Sequence, residues 1–158
     1  KAGHCSGLAR WNTTLVTGLW NLGRQHWEGH IRYQEGEGRS YARYLDWLDR
    51  GLLRKRQPLL LFLDAEAAAF AAERRKRRGL ERLTCVLEVP AEDLPQMRWR
   101  DGYLAAHEEN RRRLPGDMQP EVVRPDYTLV VNSKPELLAC AALWDPFGSS
   151  SSSSGTFA

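Results

Sequence analysis

Apolar residues along the chain fall into short blocks separated by longer amphipathic stretches. Residues 13–19 are a partly β-branched apolar run, residues 59–63 are five consecutive apolar residues, and residues 83–89 form a third short run. Short apolar runs bounded by Gly or Pro are typical of strands covered on both faces. The pattern therefore predicts three buried strands, with Pro58 before the second and Pro90 after the third.

Segments in which apolar residues recur at helical spacing lie between these runs. Ser40 can cap a helix because its hydroxyl can accept from a backbone N–H in the first turn. The apolar residues that then recur at helical spacing are Tyr41, Tyr44, Leu45, Leu48 and Leu52. Asp64 directly follows the second run and begins an Ala-rich helix that extends to about Arg78 and is closed by Gly79.

The second half of the chain contains more helix. Residues 101–114 predict a helix, and residues 127–143 form a mixed segment in which Pro135 would kink or restart a helix. The order strand, helix, strand, helix, strand is typical of α/β proteins with parallel sheets. We therefore predict an α/β fold with a Rossmann-like open, mainly parallel sheet and flanking helices.

The composition supports a folded domain and no membrane span. The chain has 158 residues, of which 42% are apolar and 27% charged, unlike intrinsically disordered chains. Its longest apolar run is far shorter than the roughly 18 residues that suggest a span. The predicted organisation is an N-terminal segment over 1–12, an α/β domain over 13–147, and a Ser-rich loop or disordered end over 148–158.

The charge balance has a small basic excess. Lys and Arg number 23 against 20 Asp and Glu, a net charge of +3, which mildly favours anionic ligands. Basic runs at 74–78 and 111–113 end predicted helices and contain no aromatic residues, so we interpret them as solvated helix faces. No nucleic-acid partner is predicted, and a nucleic-acid binder using these arginines is the weaker alternative.

Cysteine and glycosylation signals leave the compartment open. Cys5, Cys85 and Cys140 are an odd number at distant spacings, which excludes a zinc ribbon and a dense disulfide framework. The Asn-Thr-Thr triplet at 12–14 is a glycosylation acceptor if the protein enters the secretory pathway. If the protein does enter that pathway, the triplet favours a location in the Golgi lumen or at the cell surface.

Candidate binding residues follow the first predicted strand. Ligands of open parallel sheets bind outside the carboxyl ends of the strands. There Gly18 would let a ligand approach the backbone, Trp20 offers a flat face, and Arg24 offers a fork for phosphate. The alternative is a turn in which Trp20 lies in the core and Arg24 is solvated.

Two charged residues farther along are also candidates. The Asp64 carboxylate could accept from a ribose hydroxyl or a nucleobase N–H, although capping the following helix is the commoner role of such an Asp. Lys134 lies in an otherwise apolar segment, where its amine could meet a diphosphate or extend to the surface. His26 and His30 have i, i+4 spacing without an evident third ligand, so we predict no metal site in this chain.

Several stretches in a fixed order are similar to one known family. They span most of residues 13–150 and comprise 14–24 (TLVTGLWNLGR), 41–45 (YARYL), 58–64 (PLLLFLD), 127–134 (YTLVVNSK) and 145–149 (DPFGS). Through them the chain resembles the HtrL/YibB family. That family is in turn similar to glycosyltransferases of the GT-A type, so the resemblance implies the N-terminal half of a GT-A-like fold.

The resemblance also implies a donor site. In such folds the N-terminal half binds a nucleotide sugar, so Gly18, Trp20 and Arg24 would line the donor site, Asp64 would contact the nucleoside, and Lys134 would contact the diphosphate. We expect the donor-binding portion of a glycosyltransferase that moves a sugar from a nucleotide sugar to an unknown acceptor. The alternative is a non-catalytic α/β binding or scaffold module of a larger assembly.

A divalent metal enters these expectations only through residues beyond the sequence. A departing nucleoside diphosphate carries negative charge that a metal or basic side chain must stabilise. The resemblance implies that the Asp that would hold Mn²⁺ or Mg²⁺ lies in a segment following the DPF stretch, and the sequence ends at Ala158 before such a segment. We therefore expect Mn or Mg only together with residues outside this chain, and we assign no catalytic residue.

Overall fold

A parallel sheet forms the centre of the computed structural model, which describes residues 11–23, 40–113 and 124–148 apart from the side chains of Asn110 and Arg111. In spatial order the strands are β1 (Leu15–Leu19), β2 (Leu59–Leu63) and β3 (Thr84–Glu88). Pairing is parallel throughout, and Leu15, Leu59 and Thr84 lie side by side at the start of the strands. The three predicted strands and their parallel arrangement are confirmed.

Helices cover both faces of this sheet. In the described part of the chain the α-helices are α1 (Tyr41–Gly51), α2 (Ala65–Arg77), α3 (Arg100–Arg113) and α4 (Pro125–Trp144). Short 3-10 turns lie at Glu81–Leu83, Ala91–Asp93 and Pro95–Trp99. The order β1, α1, β2, α2, β3 is the predicted alternation, and the α/β architecture is consistent with a Rossmann-like fold.

The predicted helix boundaries follow from local capping. The Ser40 hydroxyl accepts from the Arg43 N–H at 3.3 Å, and the Asp64 carboxylate accepts from the Ala67 N–H at 2.9 Å. The Asp64 bond satisfies an N–H of the first turn that has no partner within the helix, whereas the Arg43 N–H is shared between the Ser40 hydroxyl and the Ser40 carbonyl at 3.0 Å. After α2, Gly79 adopts a φ of +64°, which favours glycine because it has no Cβ.

β2 separates two apolar cores. All five of its residues are 4% exposed or less. Leu59, Leu61 and Leu63 pack against α1 and α2, whereas Leu60 and Phe62 face the opposite core. That second core also contains Val16, Trp20, Cys85, Leu94, Val130, Leu137, Ala141 and Phe147. The layers are therefore α1 with α2, the sheet, and α4, as expected for a sheet buried on both faces.

Of the two outcomes that the sequence predicted at Pro135, a kink or a restart of the helix, the structure excludes the restart. The helix continues through this residue, although its nitrogen carries no hydrogen for the Val131 carbonyl. Pro135 is exposed and Val131 is 36% exposed, so the missing bond lies on the solvent side, where water can satisfy the carbonyl. Burial of Val130 and Leu137 on the other side favours the continuous helix.

The interpretation of residues 74–78 as a solvated face was wrong for Arg75, whose side chain is 0% exposed. Its guanidinium donates to the carbonyls of Leu53, Lys55, Gln57 and Leu83 and to the Thr84 hydroxyl. The irregular segment between α1 and β2 leaves carbonyls outside regular hydrogen bonding, and buried carbonyls need donors. Arg75 supplies those donors.

Arg78 ties the end of α2 to α1. Its two terminal nitrogens lie 2.6 and 3.0 Å from the two carboxylate oxygens of Asp49, a bidentate pairing. The hydrogen bond from Arg78 lowers the pKa of Asp49. By contrast, Arg112 and Arg113 are more than 70% exposed beside Glu109, which confirms a solvated face for these two. Within the described ranges, no helix is both long enough and apolar enough to cross a bilayer.

Candidate functional site

The three strands end at one edge of the sheet. Leu19 is paired with Leu63, and Leu63 with Glu88, so the last residues of β1, β2 and β3 are level. Pairing continues one step beyond: the Asp64 N–H donates to the Leu19 carbonyl at 3.2 Å, and the Val89 N–H donates to the Leu63 carbonyl at 2.8 Å. The segments that follow the strands therefore start from a fixed edge, where ligands of open α/β sheets bind.

Asp64 joins three elements at this edge. Besides capping α2, its carboxylate accepts from the N–H of Asn21, the second residue after β1, at 2.7 Å, and from the Tyr41 hydroxyl at 2.7 and 2.8 Å. Burial, together with the hydrogen bond to Asp64 and its negative charge, raises the pKa of Tyr41. Asp64 therefore caps α2, as the alternative drawn from the sequence predicted. Its contact with a nucleoside stays a prediction.

Trp20 and Gly18 form one packing unit. Trp20 is 5% exposed, and its indole N–H donates to the Val89 carbonyl at 2.9 Å. A Cβ on Gly18 would lie 2.3 and 2.5 Å from two carbons of the Trp20 ring. The ring thus occupies the space that a side chain at Gly18 would need, and its faces are turned to the core rather than to solvent.

Of the other two predicted site residues, Arg24 and Lys134, the structure describes Lys134. Arg24 lies outside the described residues. Lys134 lies on α4, on the same face as Val130 and Leu137, which pack against the sheet. Burial lowers the pKa of Lys134. The structure brings Asp64 to the segment after β1, but it places Lys134 in the middle of a helix, and the predicted diphosphate contact of Lys134 stays a prediction.

A cleft of about 570 Å³ opens at the carboxyl edge of the sheet. Its walls come from the segments after β1 and β3, from the 3-10 turn before α3, and from the starts of α3 and α4. The lining residues are Asn21, Leu22, Ala91, Glu92, Met97, Arg100, Arg124 and Asp126. Its volume lies within the range of small-molecule sites.

Charged groups of both signs face this cleft. The Arg100 Nε lies 2.9 Å from an Asp126 carboxylate oxygen, and both side chains are about half exposed. This hydrogen bond raises the pKa of Arg100. Asp126 belongs to the first turn of α4, where a negative charge suits the positive end of the helix dipole.

The prediction from sequence did not identify most of the cleft. Ligands of open parallel sheets bind beyond the carboxyl ends of the strands. Asn21 and Leu22 lie beyond the end of β1, and the same rule applied to β3 would have indicated Ala91 and Glu92. Nothing local indicated Arg100 or Arg124. Their positions depend on how α3 and α4 pack on the sheet, which hydrophobic spacing does not specify.

The described residues do not form a metal site. No three His, Cys, Asp or Glu side chains in the described ranges converge closely enough to hold an ion. His26 and His30 lie outside those ranges.

A protein-family model matches most of the chain. A family described as a bacterial protein of unknown function, HtrL_YibB, matches residues 11–153. The chain belongs to this family. The matched region runs from before β1 to beyond α4, and it confirms the resemblance drawn from the sequence stretches. The description of the HtrL/YibB family names no activity. No curated protein and no solved structure matched the chain.

Proposed function

We propose that this HtrL/YibB chain is the donor-binding portion of a GT-A-type glycosyltransferase, which moves a sugar from a nucleotide sugar to an acceptor. The observation that carries the proposal is the cleft at the carboxyl edge of three parallel strands. In open α/β sheets this is where nucleotides bind, because the loops after the strands converge there.

The lining of the cleft suits a nucleotide sugar. Arg100 and Arg124 can meet phosphate oxygens, whereas Glu92 and Asp126 can accept from sugar or ribose hydroxyls. An apolar wall of Leu22, Ala91 and Met97 can cover one face of a base or sugar ring. A ligand with phosphate, hydroxyl and apolar parts would use all three kinds of surface.

The proposal changes the roles of the residues predicted from sequence. Asp64 would support the donor site by fixing the backbone of Asn21, a residue that lines the cleft. Gly18 and Trp20 would shape the end of β1 from the core side. We assign no metal ligand among the described residues, and no step of the proposal passes through a metal held by them.

Ligand-induced stabilisation tests the proposal. The full chain would be heated with UDP, GDP or their sugars, each with and without Mn²⁺ or Mg²⁺. A ligand that binds only the folded state at about 100 times its Kd adds about 2.7 kcal/mol, which for a chain of this size raises the Tm by several degrees. We expect such a rise with at least one nucleotide sugar.

A variant that fills the cleft makes the test specific. Asn21→Trp places a large ring at an exposed lining position, and we expect it to remove the ligand-dependent rise. Ala139→Trp, at an exposed position of α4 that does not line the cleft, is the matched control and should retain it. A flat response of the unaltered chain to every nucleotide and sugar would contradict the proposal and favour a non-catalytic binding or scaffold module.

A further inference from the structure

Two arginines at the starts of different helices line the same cleft. Arg100 is the first residue of α3, and Arg124 directly precedes α4. Their backbones are held in place: the Arg100 N–H donates to the Met97 carbonyl, and the Arg124 carbonyl accepts from the N–H of Tyr127 at 3.1 Å. The side chains thus start from fixed points on the cleft wall.

We propose that Arg100 and Arg124 together form the binding site for the diphosphate group of the ligand that occupies this cleft. The inference rests on the proposed function for the identity of that ligand, but the anion site itself can be tested separately. It gives the diphosphate contact to these two arginines instead of Lys134.

The chemistry of the side chains favours the arginines. A guanidinium has five N–H donors in a planar fork that matches phosphate oxygens. The bond from Arg100 to Asp126 uses the Nε–H, so four further N–H donors remain on that guanidinium. Lys134 is half-buried on α4 and is not among the residues that line the cleft.

Asp126 sets the strength of the site. Its carboxylate lies 2.9 Å from the Arg100 Nε, so it offsets the positive charge that an anion would meet. A diphosphate must compete with this carboxylate for Arg100. Neutralising Asp126 should therefore strengthen binding of a diphosphate, whereas a merely structural ion pair would give no such gain.

Calorimetric titration of the full chain with inorganic diphosphate, and then with UDP, tests the site. We expect Arg100→Gln and Arg124→Gln each to weaken binding of both probes about tenfold, since each removes charge-assisted hydrogen bonds. Asp126→Asn should tighten binding of both probes several-fold. Arg98→Gln is the matched control, because Arg98 is an exposed arginine of the preceding turn that does not line the cleft.

The outcomes separate this inference from the proposed function. If diphosphate does not bind, or if neither arginine variant weakens it, the inference is overturned. An equal or greater loss in Lys134→Gln would move the contact to α4 and also overturn it. If diphosphate binds through both arginines but no nucleotide sugar binds, the anion site stands and the proposed function fails. If nucleotide sugars bind and the arginine variants change nothing, the proposed function stands and the two-arginine diphosphate site is overturned.

Discussion

Arg75 is fully buried although it belongs to a run of five basic residues. Its partners are four carbonyls and a hydroxyl, from the segment between α1 and β2, from the 3-10 turn before β3 and from the first residue of β3. Burial, and to a smaller extent the charge of Arg78, lowers the pKa of Arg75 to about 10. The guanidinium therefore remains charged at neutral pH, and the hydrogen bonds compensate for its desolvation.

Replacing Arg75 should be strongly destabilising. Arg75→Ala removes a donor from four carbonyls that are buried or partly buried, and a buried carbonyl left without a donor costs about 1–3 kcal/mol. We expect the free energy of unfolding to fall by about 3 kcal/mol or more, measured by urea denaturation. Lys76→Ala, at the exposed neighbouring position, should change it by less than about 0.5 kcal/mol. Equal effects of the two substitutions would contradict the assigned role of Arg75.

Gly18 is required by its neighbour in the core. A Cβ at this position would lie 2.3 Å from the Trp20 ring and 3.1 Å from the Phe62 carbonyl oxygen. We expect Gly18→Ala to lower the free energy of unfolding by about 1–3 kcal/mol, as overpacking does. Measurement of the urea midpoint checks this.

A second glycine provides the control for Gly18. Gly102 lies within α3, and nothing lies within 4 Å of a Cβ placed there. Gly102→Ala should therefore raise stability by about 0.5–1 kcal/mol, because alanine is the better helix former. A smaller ring in Gly18→Ala/Trp20→Phe should recover part of the loss. If Gly18→Ala alone is neutral, the packing argument is wrong and close approach of a ligand becomes the better reason for the glycine.

The junction between β1, α1 and α2 depends on the hydrogen bond from Tyr41 to Asp64. Burial and the Asp64 carboxylate raise the pKa of Tyr41 above its ordinary value near 10. The folded chain therefore binds more protons than the unfolded chain above that pH, and stability must fall as the pH rises through this range. Below about pH 10 the contribution is complete.

Tyr41→Phe tests this junction. At neutral pH the variant should lose about 2 kcal/mol of unfolding free energy, as expected for a hydrogen bond to a charged acceptor. Its deficit relative to the unaltered chain should shrink as urea midpoints are taken from pH 8 to 11. Tyr103→Phe is the control, because the Tyr103 hydroxyl accepts from Asn132 on the exposed side of α3 and α4. A pH-independent deficit would show that the Tyr41 proton does not contribute as described.

The elements that the sequence predicted best are those that local chemistry specifies. β2 could be predicted because five consecutive apolar residues follow Pro58, and α2 because Asp64 and Gly79 mark its ends. Arg75 could not, since its acceptors lie 8 to 22 residues away in two separate parts of the chain, the segment between α1 and β2 and the entry to β3. For the same reason the sequence marked the strand ends as a binding edge but missed Arg100 and Arg124, which reach the cleft through helix packing.

The molecule as a whole is organised around β2. This strand is paired on both sides, by β1 and β3, and its alternating side chains enter both cores. Each residue of β2 is therefore packed against either the α1 and α2 layer or the α4 layer. Neither layer can unfold without exposing side chains of this shared strand. We infer that the described layers unfold together in one transition.

Substitutions on the two faces of β2 test that cooperativity. Leu60→Ala opens a cavity on the α4 side and Leu61→Ala on the α1 and α2 side; both leucines are 0% exposed. Each should lower the free energy of unfolding by about 2–5 kcal/mol and shift one shared calorimetric transition to lower temperature. Leu143→Ala, at a position 90% exposed, should leave the Tm almost unchanged. Two transitions, with Leu61→Ala displacing only one, would show instead that the α4 layer unfolds independently of the other face.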